Sequence, residues 1–294
     1  MKHTYTVMSF NLRVIVASDP FSWDDRKHWI ADTINTYTPD VIGTQEATIP
    51  MLEWLKETFE ESYEVYAVNR TESTEVGEFS AVFVKKSRFI IGSKGSFMLA
   101  ETPDIIGTMG WDAHCERICS WVELIPKRQT EPVLRFFNTH LDHMGKLARK
   151  EGLKLICDVI RRKDNEQSLP VILTGDFNDA PESEALAEVS SMKSCYSCFT
   201  EEEKENSLTF HAYEGGTKGS PIDYIFGSNG VEFLTARILR DSFNGGYPSD
   251  HYPVLATVKI LEGDEDLKKS TGTLISHDCA GNHFPDMGRT LRQQ

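Results

Sequence analysis

Short apolar runs separated by polar turns dominate the chain, and most of them alternate with the period of a β-strand. Thr4 to Leu12 alternates and is rich in β-formers, so it reads as a first strand. Helical spacing follows from Ser22 to Tyr37, with Trp29, Thr33, Ile34 and Tyr37 on one face. Asp24 and Asp25 fall in its first turn, where the helix dipole favours acids, and Pro39 closes it. Asp40 to Glu46 is a second short strand, and Pro50 to Phe59 a helix with Leu52, Leu55 and Phe59 together. Tyr63 to Val68 and Phe79 to Lys85 read as strands around a polar, acidic loop, and Arg88 to Leu99 adds one or two more. The pattern lapses from Ala100 to Glu116, and loops of this length in compact domains are often functional.

Arg117 to Ile125 and Pro132 to His140 are strands joined by a charged turn. A clear helix runs from Met144 to Lys163, with Leu155, Ile156, Val159 and Ile160 inward. Leu169 to Leu173 is a buried strand entered from Pro170, Glu182 to Val189 a short helix, and Ser190 to Asn206 polar and irregular. Pro221 to Phe226, Val231 to Arg240 and Val254 to Leu261 complete the strands. Residues 262–294, rich in Gly, Asp, Thr and Lys, read as an extension packed loosely or disordered behind a domain spanning 1–261. No internal repeat is visible. Strands outnumber helices and the helical faces are one-sided. That predicts an α/β fold: a four-layer αββα sandwich of two packed, mainly antiparallel or mixed sheets with helices on the outer faces.

Composition narrows the partners. Of 294 residues, 39% are hydrophobic and 26% charged, as in ordinary globular proteins. A formal net charge of -14 repels polyphosphate backbones, so tight binding to duplex DNA is not expected. No stretch approaches the roughly 18 apolar residues of a membrane span. The N-terminus enters a strand pattern instead of the apolar core of a signal peptide, so a cytoplasmic protein without membrane association is expected. The six cysteines fit reduced thiols there. Cys195 and Cys198 have zinc-like spacing, Cys115 and Cys119 form a second pair, and His277, Cys279 and His283 are a further compositional metal pattern.

The chemistry gathers where strands end. In Leu173-Thr174-Gly175-Asp176-Phe177-Asn178-Asp179 a buried strand runs into Gly175, and Asp176 and Asn178 follow two residues apart, on one side of an extended chain. A carboxylate there suits a hard cation, and an amide NH2 suits a phosphoryl oxygen. Turn formation alone also favours Gly, Asp and Asn. Asn11, Glu46, His140, Asp142, Asp223, Asp250 and His251 likewise lie at or just after strand ends, and Asp223 sits inside an otherwise apolar strand, where acids are rare unless paired or ligated. Strand ends gathered at one edge of a sandwich make a pocket of carboxylates, amides and two imidazoles.

Six motifs then stand in order: Ser9-Phe10-Asn11, Gln45-Glu46, Asn138-Thr139-His140-Leu141, Gly175-Asp176-Phe177-Asn178, Ile222-Asp223-Tyr224 and Ser249-Asp250-His251. Together they resemble the endonuclease/exonuclease/phosphatase superfamily. The resemblance implies the αββα sandwich and hydrolysis of phosphoesters with Mg2+ or Mn2+. It makes Glu46 the main metal ligand, with Asn11 beside it and Asp250 in the inner or outer shell of the metal. Asp176 would position or activate the attacking water, Asn178 would hold the nucleophile or a phosphoryl oxygen, and His140 would contact the phosphate. His251 would be the base or charge stabiliser, oriented by Asp223.

Within that superfamily, Glu101-Thr102-Pro103, Gly110-Trp111-Asp112 and Arg117 with Trp121 resemble the branch of bacterial members of unassigned substrate and of carbon-catabolite-repressor and nocturnin-type enzymes. There Arg117 would reach the substrate phosphate, and Trp111 is placed to stack on a base or sugar. The chain lacks the Trp-Cys-Asp-Arg motif of inositol-polyphosphate phosphatases and the basic loops of apurinic endonucleases. The expected activity is Mg2+-dependent cleavage of a phosphoester, foremost a phosphodiester, in a small or nucleotide-type substrate or a short RNA. The alternatives are a deadenylase-like 3′-exoribonuclease and a catalytically silent binding module on the same fold.

Overall fold

The N-terminal alternating segment becomes β1 (Thr4–Asn11), an inner strand of a sheet completed only by the last strand of the described residues. The computed structural model describes residues 3–261. After β1 come α1 (Trp23–Tyr37), β2 (Val41–Thr48), α2 (Ile49–Thr58), β3 (Tyr63–Tyr66) and β4 (Glu78–Lys85). A second set runs β5 (Phe89–Met98), β6 (Ile118–Pro126), β7 (Leu134–His140), α3 (Lys146–Glu166), β8 (Val171–Asp176), β9 (Lys193–Ser194), α4 (Glu201–Glu205) and β10 (Asp223–Gly227). The described chain closes with β11 (Val231–Ile238) and β12 (Val254–Ile260).

These strands form two six-stranded sheets, ordered β11-β12-β1-β2-β4-β3 and β5-β6-β7-β8-β10-β9. In each, the middle pairing is parallel, β1 with β2 and β7 with β8, and every other pairing is antiparallel. The sheets thus share one pairing pattern, a repeat invisible as sequence. The α1 and α3 crossovers join the parallel pairs, as parallel strands require. Ile30, Ile34, Met51, Leu52 and Leu55 pack α1 and α2 on the first sheet, and Leu153 and Ile156 pack α3 on the second. This is the expected four-layer sandwich.

Local chemistry explains most boundaries. Ser22 caps α1 by accepting the Asp25 N–H at 3.2 Å, and Thr38 ends the helix in the left-handed region at φ 41. The buried face of α1 runs through Arg26, Ile30, Thr33 and Ile34; Trp29 is half-exposed and packs on Phe21 and Phe243 instead. The segment expected as one or two strands is the single β5, with its register shift between Ile91 and Lys94. The short helix expected at 182–189 is only a 3-10 turn over Leu186–Val189, with Ala185, Leu186 and Val189 as its small buried apolar set. Conversely, Thr200 and Glu203 form a capping box that starts α4 inside the segment expected to be irregular. No helix among the described residues is long and apolar enough to cross a membrane. The expected C-terminal extension, with His277, Cys279 and His283, lies outside the described residues.

One polar knot joins the sheets beneath the strand ends. Fully buried Asn138 on β7 donates to the carbonyls of Thr44 (2.8 Å) and Ala81 (3.0 Å) on the facing sheet. Its Oδ1 accepts from Gln45 Nε2 (2.7 Å) and Thr174 Oγ1 (3.0 Å). Gly43 gives the knot room: a Cβ there would stand 2.2 Å from Thr174 Oγ1. Asn138→Leu keeps the volume but strands two carbonyls and an amide in a low-dielectric interior, so it is expected to destabilise the fold by about 3 kcal/mol. Urea denaturation measures this, and a loss under about 1 kcal/mol would contradict the knot's role.

Candidate active site

Asn11, the last residue of β1, is fully buried and bridges two carboxylates. Its Nδ2 donates to Glu46 Oε1 and to Asp176 Oδ2, both at 2.9 Å, while its Oδ1 accepts the Arg13 N–H at 2.9 Å. As placed, Asn11 therefore aligns two acids and turns its carbonyl away from them. Glu46 sits where the β2 register shifts between Thr44 and Ala47, with φ at 62. Such a bulge re-aims a side chain, here out of the sheet and toward the strand ends. Its Oε2 accepts the Val14 N–H at 2.8 Å. Burial pushes the Glu46 carboxyl up, but the His251 charge, the Val14 N–H, the Asn11 amide and Arg13 together pull it below its usual value.

Asp176, ending β8, stands directly opposite Asp223, which begins β10. Like charges facing across a ladder are destabilising, so a pair like this needs compensation. Asp176 Oδ1 accepts the Asn178 N–H at 2.8 Å. Asp223 Oδ2 accepts from His251 Nδ1 at 2.9 Å, and His251 Nε2 lies 3.7 Å from Asp176 Oδ2 and 4.0 Å from Asp250 Oδ1. The imidazole is thus held between three acids. Burial alone would lower its pKa; Asp223, Asp176 and Asp250 reverse that and push it up to about 10. Burial and the facing Asp223 carry Asp176 up to about 7, against the pull of His251 and the Asn178 N–H.

His140 behaves oppositely. Burial, then the charges of Arg117, Arg70 and His251, hold it well below its usual value, so it is neutral. Its Nε2, 3.4 Å from Asp176 Oδ2, takes the amide proton of Asn178 Nδ2 at 3.0 Å. Asn178 gives its other amide proton to the Leu141 carbonyl at 3.0 Å. Both protons that the motif offers to a phosphoryl oxygen are spent on fixing His140 and its strand end.

These groups line one pocket of about 490 Å³ with Arg13, Arg117 and Asp250. Asn11 and Asp223 support it from behind. Trp111 is not among its lining residues. The Trp111 N–H bonds the Glu101 carboxylate at 3.2 Å, and the adjacent Asp112 caps α3 through Ala148 N (2.7 Å) and Leu147 N (3.3 Å). The Gly110-Trp111-Asp112 motif thus anchors the long loop to a helix. Arg70, Glu78, His114, His143 and Phe210 also line the pocket and escape the sequence reading because they lie at the edges of aperiodic loops; Cys115, singled out for its spacing, lines it too.

Every arginine in the pocket has its own acid. Arg13 forks onto Asp19 (2.9 and 3.0 Å) and lies 3.5 Å from Asp250, Arg70 forks onto Glu78 (2.9 and 2.7 Å), and Arg117 Nε lies 3.3 Å from Asp142. Arg70 Nε and Arg117 Nη1 remain buried without a partner. Among the described residues, no lysine or arginine lies within 4.0 Å of the Glu46 or Asp176 carboxylates, leaving two groups of hard oxygens aligned by Asn11. Ligand atoms of Glu46, His140 and Asp176 all lie within 4.8 Å of one another. That donor set fits a hard divalent cation. A second cluster, Cys115, Asp142 and His143, already holds the Arg117 guanidinium, whose Nη2 is 2.9 Å from His143 Nδ1. Cys119, Cys195 and Cys198 join no such cluster among the described residues, so the zinc-like spacing assembles nothing there.

Comparison with known proteins identifies the family and the fold. The model of the Endonuclease/Exonuclease/phosphatase family matches residues 8–251. A solved family member from Bacteroides thetaiotaomicron is 31% identical, with a TM-score of 0.80 over 88% of this chain and 95% of that one. A mannosyl-6-phosphatase of Bacteroides thetaiotaomicron is 32% identical, with a TM-score of 0.79 over 86% and 99%. The human nocturnin catalytic domain, solved with bound sulfate, shares the fold at 20% identity and a TM-score of 0.67, over 87% and 94%. No curated protein matches the chain.

The raised His251 pKa makes stability depend on pH. A histidine that binds its proton more tightly in the folded state contributes stability that is complete below about pH 6.5 and lost as pH rises toward about 10. Asp176, also raised, adds a fall in the same direction from about pH 4 to about pH 7. Metal-free protein is therefore expected to be more stable to urea at about pH 6 than at about pH 9, and His251→Gln should flatten that slope. Equal slopes in both proteins would remove the Asp–His–Asp contact as its source.

Proposed function

The chain belongs to the endonuclease/exonuclease/phosphatase family and is a phosphoesterase, and from that premise we propose that it hydrolyses the phosphate ester of a small polyhydroxylated alcohol, a sugar phosphate in kind, with a bound divalent metal. The observation that carries this is the opposed pair Asp176 and Asp223: one acid is joined to Glu46 through Asn11, the other to His251. Membership of an enzyme family sets aside the binding-module alternative. The relative described as a mannosyl-6-phosphatase supports the substrate class. So does the pocket, whose volume suits one small molecule and whose lining, among the described residues, has Phe210 as its one aromatic besides histidine. This puts a phosphomonoester in place of the phosphodiester, nucleotide or short RNA expected from the sequence.

Glu46 and Asp176 would hold Mg2+ or Mn2+, with Asp250 beside them; Asn11 aligns the first two. A cation held there supplies charge neutralisation at the phosphoryl group. The chain's own groups do the rest. Arg117 and Arg70 line the pocket and are its cations for phosphoryl oxygens, and charge assistance makes such bonds strong. Asp176, held by the Asn11 amide and the Asn178 N–H, orients the attacking water. His251, protonated and held by Asp223, stabilises the developing charge and donates to the leaving alcohol. Of the two roles the family implies for His251, this favours charge stabiliser over base.

Turnover is expected to vanish in chelator and return with Mg2+ or Mn2+, and Glu46→Gln should need far more metal for half-maximal rate. Full activity in chelator would end this reading. Asp176→Asn and His251→Ala should each lower kcat by roughly a hundredfold or more while the protein stays folded. The substrate class is tested by comparing kcat/KM for hexose 6-phosphates, a bis-phosphodiester, a dinucleotide and a long RNA. Sugar phosphates should lead. Preference for the long RNA, with affinity falling steeply in salt as for six or more phosphate contacts, would favour the exoribonuclease instead.

A further inference from the structure

Arg26 is among the largest fully buried side chains of the protein, 1% exposed, near the start of α1. Among the described residues it has no acid within ion-pair distance and gives its hydrogen bonds to carbonyls. Nη1 donates to Leu12 O (2.7 Å) and Pro248 O (3.1 Å); Nη2 donates to Arg13 O (3.0 Å) and reaches Val14 O (3.5 Å). Its Nε is buried without a partner, and Trp23 packs 5.8 Å from the guanidinium. Burying a cation without a counter-charge is expensive, and an apolar side chain would fill the space at less cost. The placement asks for a reason beyond packing.

The carbonyls supply it. Leu12, Arg13 and Val14 form the loop leaving β1. In that loop the Arg13 N–H holds Asn11 Oδ1, the Val14 N–H holds Glu46 Oε2, and the Arg13 side chain approaches Asp250. Pro248 begins the loop that delivers Asp250 and His251. One planar fork thus ties together two loops from opposite ends of the described chain, Leu12–Val14 fixing Glu46 and the Pro248 loop carrying His251. A guanidinium suits this because its donors leave one rigid plane in fixed directions, which a lysine ammonium cannot copy.

We propose that Arg26 is a positioning residue that sets the spacing between the Glu46 half of the site and the His251 half. It rests on the site being catalytic, as proposed above, and not on which phosphoester is cleaved. Arg26 touches neither the pocket nor any reacting group, so its effect passes through the two loops. Without the fork, the Arg13–Val14 loop and the Pro248–His251 loop drift apart while each sheet stays intact.

The test uses Arg26→Lys, which keeps the charge and loses the fork, and Arg26→Met, which keeps volume alone. Both are compared with the natural protein. Expected for Arg26→Lys are a folded protein, a kcat lower by about tenfold to a hundredfold, the range for a misplacement approaching 1 Å, and a KM changed by less than about threefold. Two readouts do not need turnover. Mn2+ affinity, by calorimetry, should fall at least about threefold because Glu46 is no longer held in place. Amide exchange in metal-free protein should quicken in peptides covering 12–16 and 246–252 and stay unchanged in the β6 and β7 peptides. In a His251→Ala background, Arg26→Lys should add little to the loss of kcat, since the spacing it sets no longer matters. Unchanged kcat and Mn2+ affinity in a folded Arg26→Lys would overturn the proposal. So would exchange that quickens uniformly, which marks a global stabilising role. If Arg26→Met does not fold, Arg26→Lys decides alone. If the natural protein binds Mn2+ but cleaves no phosphoester, the functional reading fails while affinity and exchange still judge Arg26.

Discussion

Two carboxylates face each other across adjacent strands, and much of the site exists to make that tolerable. Asp176 and Asp223 are Cα partners in the ladder between β8 and β10, both nearly fully buried. Left alone, such a pair would expel a charge or take up protons. Here the His251 imidazole lies between them, the Asn178 N–H meets one oxygen and the Asn11 amide another. Even so, Asp223 Oδ1 has no partner. Strain gathers in the same place: Arg13, Glu46 and Asn178 are non-glycine residues with φ between 50 and 62. Unfavourable charge and unfavourable backbone together mark a site kept for its chemistry at the expense of stability.

The fold makes this convergence possible by placing a parallel pair at the middle of each sheet. Asn11 ends β1 and Glu46 sits at a bulge near the end of its parallel neighbour β2; His140 ends β7 and Asp176 ends its parallel neighbour β8. Ligand sites form outside the carboxyl ends of parallel strands, and two facing sheets bring two such edges together. The Asn138 knot fixes their separation from below. Without a satisfied polar link at that depth, apolar contacts alone would let one sheet slide over the other, and acids on opposite sheets would lose register.

Legibility from sequence followed periodicity. Strands with buried apolar runs, such as Val171–Asp176, announce themselves, and a polar residue at their end stands out against them. Asn11, Glu46, His140, Asp176, Asp223 and His251 were readable for that reason. Arg70, Glu78, His114, His143 and Phe210 border loops with no period, where polarity carries no contrast. Trp111 stands in a different position: flanked by Gly110 and Asp112 in a long loop it resembles a site motif, and its neighbour Asp112 also serves the loop as a helix cap. Arg26 reads as one more charge in the first turn of a surface helix, and only the three-dimensional approach of residues 12–14 and 248 reveals it as interior. Side-chain amides escape sequence reading for a related reason. The motif supplies Asn178, but which neighbours take its protons depends on a strand 37 residues away.

The unequal way the chain is divided between its sheets bears on how it is made. Strands β5 to β10 come from one continuous stretch, residues 89–227, whereas the other sheet combines residues 4–85 with 231–260. During vectorial synthesis the continuous sheet has all its partners as soon as its own segment emerges. β1 must wait, its flank open, until β12 arrives to pair from Thr4↔Lys259 to Ser9↔Val254. His251 precedes β12 by only three residues, so the imidazole reaches Asp223 at about the moment the sheet closes. Contacts of such long sequence separation form slowly, because loop closure must come before any gain. Among the described residues the His251–Asp223 contact is therefore one of the last to form, and a ribosome-bound fragment ending before His251 has the facing acids without the imidazole that lies between them.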